Sequence, residues 1–200
     1  PDTRPQHDDG LIAGEGPGGS DKFLYRPHLP LHIDHHAFCG GVFGVDGLWM
    51  ATAVDGKGRP LGGHMWMPVQ WWLGAPAWMA QHVWWHWSYS HDKEWLRARG
   101  YPFLKKVTQF FENILEEGPD GKLHVPLSAS PEYYSNDLEA WTADPTCDLS
   151  LVRNLLRYTE QAAVALAVDE TKREQWRKME ARLAAYPVGR GGLKVQPDSD

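Results

Sequence analysis

Cysteine is scarce in this 200-residue chain, which carries only Cys39 and Cys147. Two thiols with no C-x-x-C spacing exclude a disulfide framework and a cysteine-built zinc ribbon, and both are expected as buried thiols. Positive charge is in deficit, since 20 Lys and Arg against 26 Asp and Glu set the net charge at −6. That balance leaves no cationic surface to neutralise phosphates, and no nucleic-acid partner is expected. Long apolar runs are missing as well. The stretch from Met65 to Trp87 is broken by Pro68, Gly74, Pro76 and two histidines, so nothing has the ~20 apolar residues that a membrane-crossing helix needs, and no membrane partner is expected. There is no G-x-S-x-G nucleophile elbow and no glycine-rich phosphate or dinucleotide fingerprint, so no cofactor is expected. The chain starts at Pro1 without a charged-then-apolar leader and reads as a piece of something longer, which leaves its localisation open.

Tryptophan, by contrast, is abundant. Eight of eleven (Trp66, Trp71, Trp72, Trp78, Trp84, Trp85, Trp87 and Trp95) fall within thirty residues, interleaved with His64, His82, His86 and His91. A pyranose has an apolar C–H face that lies on an indole and a fringe of hydroxyls that imidazole nitrogens can bond, so such a segment suits a sugar cleft. Tryptophan is equally a large core residue, and both readings stand at this level.

Composition divides the chain at about residue 64. Residues 1–30 are rich in Gly, Pro and Asp, with Gly14-Glu15-Gly16-Pro17-Gly18-Gly19 near their centre, residues 31–64 are irregular and glycine-rich too, and together they form a loop-rich leader of the same domain. Residues 65–200 read as helical. From Ala75 to Tyr89, Trp78, His82, Trp85 and Tyr89 share one face and Val83, Trp84 and Trp87 another, which predicts a helix buried on both sides. Asp92 is placed to cap a short helix that Gly100 ends. After Pro102, the residues Phe103, Leu104, Val107, Phe110, Phe111, Ile114 and Leu115 form one face of the clearest amphipathic helix. Gly118-Pro119-Asp120-Gly121 then turns the chain into a short strand over 122–126. A second clear helix runs from about Asp148 to Ala167, capped by Asp144 or Asp148, and a third with a narrow apolar stripe runs from about Glu170 to Ala185. Alternating inner and outer helices describe an all-α, two-layered arrangement of helical hairpins.

The loop Ser128-Ala129-Ser130-Pro131-Glu132-Tyr133-Tyr134-Ser135-Asn136-Asp137 is too particular to be a mere connector. Glu132, with Pro131 in front and two tyrosines behind, could occupy a partly dry wall that holds a carboxyl protonated near neutral pH, as a general acid for a glycosidic oxygen requires. It is equally readable as a solvated loop glutamate. His28, His32, His35 and His36, near Asp34 and Cys39, lack any standard zinc spacing, and H-E-x-x-H is absent, so no metal site is expected.

Four stretches, in order, resemble the catalytic domain of glycoside hydrolase family 95 and its six-hairpin relatives, which include α-L-fucosidases and α-L-galactosidases. They are Trp72 to Trp87 followed by Asp92 and Tyr101-Pro102-Phe103-Leu104-Lys105; Pro126 to Tyr133; Thr146 to Arg153; and Tyr186-Pro187-Val188-Gly189 leading to Gly192-Leu193. The resemblance implies an (α/α)6 toroid, of which this chain holds about half. It also implies an exo-acting, inverting glycosidase for a terminal α-L-fucoside, α-L-galactoside or related sugar on an oligosaccharide or glycoconjugate. Glu132 would be the general acid, and Asp198 is the candidate base within the chain. Trp72, Trp78, His82, Trp85, His86, Tyr133, Asn136 and Asp137 would contact substrate, and a secreted or periplasmic location is implied. The chain departs from the family's fucosidases in placing Ala37 after His35-His36, where an asparagine is usual, and Trp85 where a carboxylate is common. The other class of function compatible with these residues is a non-catalytic carbohydrate-binding or structural helical domain with an aromatic cleft.

Overall fold

The computed structural model describes residues 44–50, 52, 72–130, 133 and 140–199. The leader expected over 1–64 and its histidine cluster therefore lie outside the described residues, apart from the segment at 44–50 and Thr52. That segment lies along a helix: Leu48 N–H bonds the Lys106 carbonyl at 3.0 Å, and Gly47 sits so close that a Cβ there would fall 2.5 Å from the Phe110 backbone. Only glycine fits at that contact, where φ is +145°.

The first helix, α1, spans Ala75–Ser90. Asp92 caps the next as expected, its Oδ1 accepting the N–H groups of Glu94 and Trp95 at 3.0 and 2.9 Å. Gly100 does not end that helix. The chain passes from a short α2, Lys93–Trp95, through a π-turn over Leu96–Gly100 into α3, Tyr101–Ile114. Gly100 keeps helical angles (φ −63°, ψ −53°), and the Tyr101 N–H bonds the Leu96 carbonyl five residues back. The wider turn accommodates Pro102, which lacks an N–H and would crowd the preceding carbonyls of a regular α-helix. Glycine at 100 serves close approach instead, because a Cβ there would meet the Trp95 indole at 2.7 Å.

Helix α3 buries Phe103, Leu104, Val107, Phe110 and Phe111, the face that its periodicity marks. A turn then leads to β1, Glu116–Glu117, paired antiparallel with β2, Leu123–His124. Strands β3, Ser128–Ala129, and β4, Trp141–Thr142, pair across the base of the Glu132 loop. Helices α4, Thr146–Leu166, and α5, Glu170–Arg182, follow, and a hairpin of β5, Val188–Gly189, and β6, Gly192–Leu193, comes last.

Contacts set the helix directions. Trp72, just before α1, meets Asp148 at the start of α4, and Trp84 stacks on Tyr158 further along both (5.0 Å, 7° between planes); α1 and α4 therefore run the same way. Tyr101 and Glu112 of α3 bond Asp169 and Trp176 in that order, so α3 and α5 are also parallel. Ion pairs Arg157–Glu180 and Arg177–Glu160 run α4 and α5 in opposite senses. The described region is thus two successive hairpins, with their first helices parallel and adjacent. The core between them holds Leu96, Leu104, Phe110, Phe111, Leu149, Leu155, Leu156 and Trp176, all almost fully buried.

Two further expectations are corrected. Neither Asp144 nor Asp148 caps α4, which begins after Pro145 without a side-chain cap; both carboxylates are engaged elsewhere, as described below. Helix α1 is not buried on both sides among the described residues: Ala77, Ala80, Val83 and Trp87 face the core, while Trp78, Trp85 and Tyr89 are 47%, 48% and 88% exposed and His82 is exposed beside them. Ala77 and Ala80 are almost fully buried, and the small side chains at these positions permit close packing on that face. Cys147 is free and half-buried, and burial pushes its thiol up to about 11.

Candidate active site

The loop that carries Glu132 has a firmly built base. Beyond the β3–β4 ladder, Asp144 N–H bonds the Val125 carbonyl at 3.1 Å, and Val125 N–H returns a bond to Asp144 Oδ1 at 2.8 Å. Asp144 takes a left-handed conformation (φ 53°), which short polar side chains tolerate by bonding locally. Its other oxygen pairs with His124 Nδ1 at 2.5 Å, while His124 Nε2 lies 3.0 Å from Asp120 Oδ1. Bonds to Asp144 and then to Asp120 raise the imidazole's pKa above its ordinary value despite partial burial.

A second anchor is buried. Asp148, fully enclosed in the first turn of α4, accepts the Trp72 indole N–H through Oδ1 and the Ser128 hydroxyl through Oδ2, each at 2.5 Å. The Ser128 oxygen in turn receives the Leu73 N–H at 3.4 Å. Burial dominates and raises the carboxyl to about 7, although both donors favour the charged form. Sequence reasoning marked Asp148 only as a cap; the signal that could have separated it was its place in a helix turn flanked by apolar residues, Cys147, Leu149, Leu151 and Val152.

Of the expected site residues, Glu132, Asn136 and Asp137 lie outside the described residues. Tyr133, covalently next to Glu132, is half-buried and lines a cleft of about 620 Å³ whose other wall is the hairpin from Gly189 to Val195 together with Ser199. The same end of α4 holds that hairpin's tail, because Thr146 donates its N–H to Val195 O at 2.9 Å and its hydroxyl to Lys194 O at 2.6 Å. The loop base, the Trp72 turn, the α4 N-terminus and the hairpin are therefore one cluster. Asp198 is exposed beside Ser199, in the turn after the hairpin. Gln196, next to the cleft wall, is buried with its side-chain oxygen unpaired among the described residues.

The aromatic residues divide. Trp72 is buried, its ring edge against Trp78 at 5.7 Å. Trp78, His82 and Trp85 form an exposed strip along α1, His82 lying edge-on to Trp85 at 5.1 Å. His86 packs instead on Trp95, with ring centres 3.9 Å apart. Among the described residues no group of three or more His, Cys, Asp or Glu side chains could hold a metal ion, and no helix is long and apolar enough to cross a membrane.

Comparison with known proteins adds to this geometry. Residues 39–195 match the family model described as glycosyl hydrolase family 95 catalytic domain. The chain is similar to "Alpha-L-fucosidase 2" of Arabidopsis thaliana, 37% identical over 89 residues that make up 44% of this chain and 10% of that protein. It is also similar to "Probable alpha-fucosidase A" of Aspergillus niger, 44% identical over 68 residues that make up 31% of this chain and 9% of that protein. The matched stretches thus span about a tenth of the length of these curated relatives.

Proposed function

The chain belongs to glycosyl hydrolase family 95, and from that premise we propose that it forms part of the catalytic domain of an exo-acting, inverting glycosidase for a terminal α-L-fucoside, α-L-galactoside or related sugar. The observation that carries the reading is the cleft at Tyr133. It places the residue bonded to Glu132 opposite the 189–195 hairpin, on a base of bonded strands and buried side chains. Glu132 acts as general acid, giving its proton to the glycosidic oxygen as the bond to the anomeric carbon breaks. A carboxylate across the cleft takes a proton from water, whose oxygen bonds the anomeric carbon from the opposite face, so the configuration inverts. Asp198 is the candidate within this chain for that base. The exposed strip of Trp78, His82 and Trp85 offers indole faces and imidazole nitrogens to the sugar chain.

The (α/α)6 toroid belongs to the same reading. Two hairpins with parallel first helices and opposed second helices are the repeating unit such a ring requires, and α1 and α4 would be inner helices.

The test is Glu132→Gln in the intact protein. The amide keeps shape and hydrogen-bonding span but cannot donate the catalytic proton. Hydrolysis of an alkyl glycoside should fall by about 10² to 10⁴, an activated aryl glycoside should suffer less, and sugar binding should survive. Unchanged rates on both substrates would remove Glu132 from the mechanism, and retention of anomeric configuration would overturn the inverting scheme.

A further inference from the structure

Asp148 is a poor choice for stability alone. It is wholly buried, no cation among the described residues pairs with it, and an aliphatic side chain would join α4 to α1 without the cost of withdrawing a carboxylate from water. What a carboxylate does here and an aliphatic group cannot is accept two directed hydrogen bonds at once. The two donors come from places 56 residues apart, the Trp72 turn and the Ser128 strand. Leu73 N–H closes the triangle on the Ser128 oxygen. The packing admits nothing else: a Cβ on Gly74 would stand 2.5 Å from Asp148 Oδ1 and 2.6 Å from the Trp72 ring.

The two tethered segments lead to different parts of the candidate site, that of Ser128 to Tyr133 at the cleft and that of Trp72 to the exposed strip on α1, which is not part of the cleft's lining. Trp72 opens the turn into α1 and touches Trp78 on the exposed strip. Ser128 stands four residues before Glu132, a length of chain that reaches no more than ~14 Å. Ser130, between them, is buried and accepts the Tyr133 N–H at 3.3 Å. The anchor is thus separated from the acid by a short, partly bonded stretch of chain.

We propose that Asp148 is a positioning residue of the glycosidase reaction: by fastening Trp72 and Ser128 to the first turn of α4, it holds in place the strand from which the chain runs on to Glu132. This rests on the reading of Glu132 as the acid. Because proton donation depends steeply on the separation of donor and leaving oxygen, loss of the anchor weakens the acid step more than it weakens binding. The effect is therefore specific to substrates whose leaving group needs a proton.

The experiment uses the intact protein with Ser128→Ala, Asp148→Asn and Glu132→Gln, each assayed on an alkyl and an aryl glycoside of the sugar that the wild type hydrolyses, with the folded fraction measured by thermal unfolding. Ser128→Ala removes one donor and leaves the rest of the core in place. Its kcat on the alkyl glycoside should fall on the order of tenfold more than on the aryl glycoside, with KM little changed. Asp148→Asn keeps an acceptor for Trp72 and can offer its amide N–H to a reoriented Ser128 hydroxyl, so it should show the same selectivity in milder form. If Glu132→Gln is selective for the alkyl glycoside while Ser128→Ala and Asp148→Asn lower both substrates equally, in step with the folded fraction, the positioning role is overturned and the acid assignment stands. If Glu132→Gln shows no dependence on the leaving group, the acid assignment fails and this proposal fails with it.

Discussion

Asp148 and Trp72, 76 residues apart in the chain, meet through one hydrogen bond of 2.5 Å in a fully buried setting. A buried carboxyl of this kind links stability to pH. Its pKa is raised from 3.8 to about 7 in the native state, so between those values the folded protein holds a proton that the unfolded chain has released. The contribution is full below 3.8 and is lost as pH rises through about 7.

The first prediction follows from that sign. The unfolding free energy of the intact protein, read from urea titrations, should decline from pH 4 to pH 7, by an amount on the order of a few kcal/mol from this group, and Asp148→Asn should flatten that limb. His124 acts at higher pH, because its raised pKa makes its contribution full below 6.5 and lost as pH climbs through the native value. Asp148→Asn should leave that upper limb intact, and an identical profile in wild type and variant would refute the raised pKa of Asp148.

The tryptophans of α1 should separate by role. Trp87, buried against the core, and Trp176, buried on α5, should each cost about 3–5 kcal/mol on replacement by alanine. Trp78→Ala and Trp85→Ala should change unfolding by less than about 1 kcal/mol and raise KM by roughly 2- to 10-fold through lost stacking on the sugar. Equal losses of stability at all four positions, read from denaturant unfolding, would show that the strip is packed rather than presented to substrate.

Helix α4 ends on Ala167 in the left-handed conformation (φ 55°), with Ala167 N–H to Val164 O and Val168 N–H to Ala163 O, each at 3.0 Å. This is the Schellman arrangement, in which glycine normally stands because a Cβ there is strained. Ala167→Gly should therefore raise stability by about 0.5–1 kcal/mol without altering activity. A lower thermal midpoint would show that the alanine methyl contributes packing that outweighs the strain.

Local pattern made much of this protein legible from sequence. The apolar face of α3 from Phe103 to Phe111, the Asp92 cap, the turn at 118–121 and the stripe of Trp176 and Leu183 each depend on neighbours within a few residues, and each was found where the period put it. The order of the Trp-rich, Ser-Pro-Glu, Thr-Cys-Asp and Tyr-Pro-Val-Gly segments was likewise enough to indicate the family that the match over 39–195 shows. Tertiary structure decided the rest. Which face of α1 is covered depends on which helix packs beside it, and that is set by α4, whose Tyr158 stacks on Trp84. Gly100 reads as a stop in sequence, yet the Trp95 indole against it and Pro102 beyond it make it part of a π-turn. The aspartate at 148 reads as a helix cap because caps are local; its actual partners arrive from Trp72 and Ser128, and a hydrogen bond between residues so distant in the chain leaves no periodicity to read.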